Sequence, residues 1–195
     1  SRTRVLDLIP VVFLAAYADE SYDLPLGVYI LTASLVDLTE AETIRDALHA
    51  LQSGPGKLHW YDADAVRRLH LAKTVGTLTA RHISVVARSA SLQAERGRRK
   101  CLEALLPELE SAGAEQVLLE TRQRRNNKHD IDMVDACRRK KLIGERLHVS
   151  FGPPKNEPLL WLPDIACGAA LAAERGDDDY LQQFGDSSTV LSVKA

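Results

Sequence analysis

The sequence has little cysteine: its 195 residues contain three, at positions 101, 137 and 167. An odd number of widely spaced cysteines suits neither a disulfide framework nor a zinc site. Such cysteines are typical of reduced thiols in a cytosol. We therefore expect a cytoplasmic protein whose fold does not depend on disulfides.

Long apolar runs are also missing, since no stretch approaches the roughly 20 residues that a membrane-spanning helix requires. The longest run, residues 11–18, has the length of a strand and is followed at once by Asp19 and Glu20. The run carries no small-residue cleavage pattern of a signal peptide. We therefore expect neither a signal peptide nor a membrane partner.

The net charge is small, −2 at pH 7, and this average does not suggest a nucleic-acid-binding protein. Basic residues nevertheless cluster in the segments 96–100, 122–128 and 138–141, and acidic residues cluster at 177–179. Solvated helix faces and loops are the plainer interpretation of these clusters. The functional alternative is a phosphate-binding surface beside an acidic site.

Composition and periodicity predict a single α/β domain over residues 1–195, with a core at about 10–175 and a C-terminal tail at 176–195. Strands are predicted at 11–19, 26–35, 82–88, 116–121 and 147–151, and a short strand or tail at 187–193. Helices are predicted at 39–52, 62–78, 92–112, 130–141 and 157–175, with Thr39 and Asp62 or Asp64 as caps and a kink or a later start at Pro163. The short link between the first two strands indicates an antiparallel hairpin and hence a mixed sheet.

Three carboxylates stand beside apolar segments. Asp19 ends the first predicted strand, Glu120 ends the run 117–119, and Asp164 lies within the almost wholly apolar segment 159–170. A hairpin turn, an ordinary strand end and a helix N-cap are the structural alternatives for the three. An acid buried at position 164 is costly unless it is paired or bound to a metal.

Carboxylates from two strand ends and one helix can form a site for a hard cation such as Mg²⁺ or Mn²⁺. The metal relieves the repulsion between the clustered acids, and two such ions can activate water and stabilise the leaving oxygen of a phosphodiester. A fourth ligand is open: Glu20, Asp130, Asp132 and Asp135 are the candidates.

The segments 17–21 (YADES), 56–60 (GKLHW), the strand ending in Glu120, and 157–169 (EPLLWLPDIACGA) resemble the bacterial family called domain of unknown function 3800. The resemblance spans about residues 10–175 and implies a ribonuclease H-like fold. It also implies acidic residues on the first strand, the fourth strand and the last helix, which match Asp19, Glu120 and Asp164.

Two features depart from a simple ribonuclease H pattern. Helices are expected between the second and third strands, where that pattern has a meander. The acid of the fourth strand is Glu120 rather than the more usual Asp, which changes the reach of the carboxylate.

Lys57 and His59 are further candidates for the site, since lysine can hold a phosphate and histidine can serve as a base or a metal ligand. His59 beside Trp60 is equally typical of a packed structural residue. The basic run after Glu120 is predicted to be a loop that grips a nucleic-acid backbone. Its cationic residues are Arg122, Arg124, Arg125 and Lys128.

The leading hypothesis is a metal-dependent nuclease or related phosphodiester-processing enzyme that uses Mg²⁺ or Mn²⁺ and binds nucleic acid. The alternative is a binding or scaffold module that has the same fold but no catalytic activity. An aspartate-nucleophile phosphatase is less consistent with the sequence, because it requires a helix directly after the Asp19 strand, where a second strand is predicted. The sequence does not distinguish DNA from RNA, and it does not set the oligomeric state.

Overall fold

The computed structural model describes residues 12–195. Its strands are β1 (Leu14–Asp23), β2 (Val28–Asp37), β3 (Ala80–Arg88), β4 (Ala114–Glu120), β5 (His148–Gly152) and β6 (Ser188–Lys194). Its helices are α1 (Ala41–Ala50), α2 (Ala65–Thr77), α3 (Ala94–Ser111), α4 (Arg124–Arg139), α5 (Trp161–Glu174) and α6 (Asp179–Gln182), with 3-10 turns at Pro158–Leu160 and Gly185–Ser187. The first residue of the predicted strand 11–19 lies outside the described range.

All six strands form one mixed sheet in the order β5-β4-β1-β2-β3-β6. Strands β1, β2 and β3 are antiparallel neighbours, whereas β4 runs parallel to β1 and β5 runs parallel to β4. The predicted hairpin and the predicted mixed α/β sheet are therefore confirmed. The C-terminal segment is an edge strand, β6, that pairs with β3 in parallel.

Helices cover both faces of the sheet, so that apolar side chains are buried in two layers. On one face α1, α2, α5 and α6 pack around a core that contains Tyr17, Leu71 and Trp161. On the other face α3 and α4 bury Leu105, Val134 and neighbouring side chains against the sheet. None of the helices in residues 12–195 has the length and apolar character required to cross a membrane.

The predicted helices are present, but several of them begin at other residues than predicted. Helix α2 begins as expected, because the Asp64 carboxylate accepts a hydrogen bond from the backbone N–H of Arg67. Helix α1 has no side-chain cap at Glu40, and the Thr39 N–H donates to the Asp37 carboxylate, so the predicted Thr39 cap is wrong. Helix α5 begins at Trp161 and has Pro163 in its first turn, where backbone N–H groups lack intrahelical partners.

The largest difference lies after β4. The basic run predicted to be a loop is mostly helical, because α4 begins at Arg124 rather than at Asp130. The Asn127 side chain accepts a hydrogen bond from the backbone N–H of Arg122, and this contact closes the turn that leads into the helix. Arg124, Arg125 and Lys128 thus project from an ordered helical turn.

The three cysteines all lie in the described range, where they are buried and unpaired. Burial raises the pKa of Cys101 to about 12, which keeps its thiol protonated at neutral pH. The three thiols therefore serve as core side chains.

A buried histidine links β2 to β3. His82 is 1% exposed, its Nδ1 lies 2.8 Å from the Ser34 hydroxyl, and its ring contacts Phe184 edge-on. Burial lowers the pKa of His82 to about 4, from 6.5. Below about pH 6.5 His82 binds a proton in the unfolded chain but not in the folded one. The contribution of His82 to the free energy of unfolding is therefore complete above about pH 6.5 and declines as the pH falls toward 4.

We predict that the free energy of unfolding falls by about 2 kcal/mol between pH 6.5 and pH 5 through His82 alone. Urea unfolding at several pH values tests this with His82→Gln, whose stability should fall less steeply over the same interval. The exposed His70→Gln is the matched control and should follow the wild-type profile. Parallel profiles for wild type and His82→Gln would contradict the assignment.

Candidate functional site

The ends of two neighbouring strands place Asp19 next to Glu120. Strands β1 and β4 pair in parallel up to Ala18 and Leu119, so the two acids follow directly after the last registered pair. Strand β4 ends at Glu120, whereas β1 continues to Asp23 through its pairing with β2. The predicted strand end at Asp19 is therefore wrong, but this residue does lie where the parallel ladder stops.

Helix α5 brings the third acid to the same face of the sheet. Asp164 lies in its first turn, and its Oδ2 accepts a hydrogen bond of 3.1 Å from the backbone N–H of Trp60. A Cβ atom added to Gly168, one turn further along α5, would meet the Trp60 indole at 2.3 Å. Because only glycine permits this contact, position 168 lets the segment that carries Lys57 lie against α5.

The ammonium of Lys57 lies between the acids. Its Nζ is 2.6 Å from Glu120 Oε2 and 3.6 Å from Asp19 Oδ2, and its side chain is only 8% exposed. Asp19 is also buried, and its other oxygen, Oδ1, accepts the backbone N–H of Glu20 at 2.8 Å. Asp19, Lys57, Glu120 and Asp164, hereafter the acidic cluster, thus contain three carboxylates and one ammonium.

Burial and mutual repulsion act on these charges. Loss of solvation raises the pKa of Asp19 well above its usual value; Lys57 opposes this rise, and Asp164 and Glu120 add to it. Loss of solvation likewise raises the pKa of Asp164. Burial lowers the pKa of Lys57, but attraction to Asp19, Asp164 and Glu120 outweighs burial and leaves it raised. One ammonium thus leaves the cluster with uncompensated negative charge.

The donor types of the acidic cluster fit a hard divalent cation, because such ions take carboxylate oxygens and relieve the repulsion between them. The raised pKa of Asp19 shows that the protein alone does not stabilise its charge. In residues 12–195, however, no three His, Cys, Asp or Glu side chains form a group with metal-ligand spacing. Metal binding by Asp19, Glu120 and Asp164 therefore stays a prediction.

Two further predicted site residues lie at the border of the cluster. His59 is exposed, and its charge acts on Asp164 by lowering its pKa. Glu20, the expected additional metal ligand, is engaged elsewhere: its Oε2 accepts from Arg98 Nη1 at 2.6 Å. His59 therefore remains available for chemistry at the site, whereas Glu20 belongs to a neighbouring ion-pair network.

This network, hereafter the Arg98 network, was not foreseen from the sequence. Arg98 is 1% exposed and donates to both oxygens of the buried Asp130 as well as to Glu20. The sequence did contain a signal, because Arg98 has the helical spacing of three, four and seven residues from Cys101, Leu102 and Leu105. This spacing places Arg98 on the buried face of α3. The network fixes Glu20 on β1 to Asp130 on α4.

The predicted phosphate-binding residues divide into two groups. Arg122 donates to Asp130 at 2.9 Å and to Glu95 at 2.7 Å, so it belongs to the Arg98 network rather than to an open cationic surface. Arg124, Arg125 and Lys128 are exposed on the first turns of α4. Of the remaining candidates for a fourth ligand, Asp132 and Asp135 pair with Lys128 and Arg138 of their own helix.

Comparisons of the chain with protein-family models, with curated proteins and with solved structures found no match. The resemblance to the domain of unknown function 3800 family therefore stays a prediction.

We predict opposite effects on stability from neutralising the two signs of charge in the acidic cluster. In the presence of a chelator at pH 7, Asp19→Asn should raise the melting temperature by a few degrees, about 1 kcal/mol, because it removes a charge that burial disfavours. Lys57→Met should lower it, because the carboxylates lose their counter-ion. Thermal unfolding followed by circular dichroism measures both changes.

The exposed Glu115→Gln and Lys73→Met are matched controls that make the same changes of charge away from the cluster. Neither should shift the melting temperature appreciably, since isolated surface charges contribute little. A destabilised Asp19→Asn or a stabilised Lys57→Met would contradict the proposed charge balance.

Proposed function

We propose that this protein is a divalent-metal-dependent nuclease or a related phosphodiester-processing enzyme with a ribonuclease H-like fold. The observation that carries the proposal is that the Lys57 ammonium contacts both Asp19 and Glu120, while Asp164 lies near enough to raise the pKa of Asp19 further, so that one ammonium faces three carboxylates. A buried, undercompensated group of carboxylates costs stability, and such costs are typical of sites that bind a cation.

The topology supports the ribonuclease H-like part of the proposal. The strand that ends in Glu120 lies directly beside the strand that carries Asp19, and the first two strands form a hairpin, as the family resemblance implies. Helices α1 and α2 lie in the connection between β2 and β3. On this proposal the two helices are an insertion into a simpler meander. Membership of the domain of unknown function 3800 family is proposed on the same grounds.

In the proposed mechanism, Asp19, Glu120 and Asp164 would hold Mg²⁺ or Mn²⁺, and that ion would supply activation of water and stabilisation of the leaving oxygen. The chain's own cations act on the substrate. The Lys57 ammonium, on its flexible stem, turns from Glu120 toward a phosphate oxygen and balances its charge. His59 is exposed beside Asp164 and donates a proton to the leaving oxygen.

Nucleic acid is the proposed substrate because cations flank the acidic cluster. Carboxylates repel phosphate, so binding of a phosphodiester needs nearby positive charge to offset this repulsion. Thr121 follows Glu120 directly, and α4 begins three residues later at Arg124. The side chains of Arg124, Arg125 and Lys128 are exposed on this helix. A chain of phosphates that reaches the acidic cluster can therefore extend onto the start of α4.

A second candidate function is a binding or scaffold module without turnover. It is favoured by one observation: Lys57 lies 2.6 Å from Glu120, so the cluster already holds one internal counter-ion. In that case the ammonium is a permanent structural substitute for a metal, and nucleic acid is bound on α4 without being cleaved.

The two functions differ in metal-dependent cleavage. We predict that the purified protein, incubated with Mn²⁺ or Mg²⁺, cleaves at least one member of a panel of single- and double-stranded DNA and RNA, and that a chelator abolishes cleavage. Loss of even an outer partner of a metal ligand costs about 10–100-fold, so Asp19→Asn should lower the rate at least about 100-fold.

Glu115→Gln removes one negative charge at an exposed position of β4 and is the matched control, with an expected rate near that of the wild type. Cleavage that persists in a chelator, or that survives Asp19→Asn, would refute the proposed site. Binding of the panel without cleavage in any metal would favour the scaffold function.

A further inference from the structure

A groove with an apolar floor and a basic rim runs from the end of β4 to the start of α4. Thr121 lies at one end, beside Glu120, and Phe151 of β5 and Ile131 of α4 line the floor. Ile131 is 48% exposed and Phe151 is half-buried, so both present apolar surface to the groove. The rim is formed by Arg124, Arg125 and Lys128.

The rim carries unbalanced positive charge. Among residues 12–195, no carboxylate lies within salt-bridge distance of Arg124 or Arg125, and Lys128 has only a long contact of 3.4 Å with the exposed Asp132. Arg122, by contrast, is neutralised by Glu95 and Asp130 and supports the groove from below. The occupant of the groove is therefore expected to be anionic.

The apolar floor of the groove indicates that the ligand also has an apolar part. An anion alone would leave Phe151 and Ile131 in water, whereas a nucleotide combines a phosphate for the rim with a flat base for the apolar floor. In a duplex the faces of the bases are already stacked on one another and do not reach such a floor. In a single strand the bases are free to leave the stack and pack against aromatic side chains.

We infer that this groove binds a single-stranded segment of nucleic acid, with a base on Phe151 and Ile131 and phosphates on Arg124, Arg125 and Lys128. The inference deepens the proposed function, on which its choice of an anionic polymer rests. The groove delivers the strand to Glu120 through Thr121, so that the acidic cluster acts on a single-stranded rather than a double-stranded backbone.

The test measures binding without cleavage. A fluorescein-labelled 12-nucleotide DNA of mixed sequence, its blunt duplex and the RNA of the same sequence are titrated with the protein in a chelator, and fluorescence anisotropy is recorded. Either single strand should bind at least about tenfold more tightly than the duplex, because only the single strand gains stacking on the floor. Equal or tighter binding of the duplex overturns the inference.

Variants separate the floor from the rim. Phe151→Leu keeps the apolar volume but removes the ring, and it should weaken single-strand binding about tenfold without changing duplex binding, whereas Phe151→Trp should restore the affinity. Arg124→Glu with Arg125→Glu should weaken binding of both ligands. It should reduce the slope of log affinity against log salt by about 1.4 for the single strand and about 1.8 for the duplex. Lys73→Glu with Arg81→Glu makes the same charge change elsewhere and should have little effect on either ligand.

Further results would also refute the inference. One is an unchanged single-strand affinity in Phe151→Leu when its melting temperature matches that of the wild type. The others are absence of single-strand binding at low salt, and binding of polyglutamate as tight as that of the oligonucleotides. The cleavage assay with Mn²⁺ is read separately. Single-strand binding that depends on Phe151 without cleavage supports the groove and refutes the nuclease, and cleavage restricted to duplexes supports the nuclease and refutes the groove.

Discussion

The interaction on which the site depends is the contact of the Lys57 ammonium with the carboxylates of Glu120 and Asp19. Without a cation at this position, three acids would face one another in a poorly solvated region, where like charges raise one another's pKa. With a single lysine present, the cluster is held together but not neutralised. Because negative charge remains, the cluster is a candidate binding site for a divalent cation rather than a neutral structural ion pair.

Several parts of the fold hold this contact in place. The parallel pairing of β1 with β4 sets Asp19 beside Glu120, and the close approach at Gly168 brings the Lys57 segment to Asp164. The Arg98 network then connects β1 to α4 through buried ion pairs that are costly to break. The acidic cluster and the basic start of α4 are therefore fixed relative to each other, as the proposed action on phosphodiesters would require.

Sequence patterns were sufficient for the mixed α/β sheet, and they singled out three acids whose role as a site stays a prediction. The hairpin followed from the short link predicted at residues 20–25, and Asp164 was conspicuous because its neighbours are apolar. The patterns did not reveal Arg98, because a basic residue within a basic run looks solvated until its buried partner Asp130 is known. The helical start of α4 was missed for a similar reason: the contact between Asn127 and Arg122 that closes the turn is local and leaves no periodic signal.

The most direct test of the central claim is a measurement of Mn²⁺ binding at pH 7, by the loss of the free-ion signal in electron paramagnetic resonance. We expect the wild type to bind Mn²⁺ and Asp19→Asn to bind it at least about tenfold more weakly. Lys57→Met should bind it more tightly than the wild type, because the competing ammonium is gone. Equal affinities in the three proteins, or no binding in any of them, would contradict the claim that the acidic cluster is a cation site.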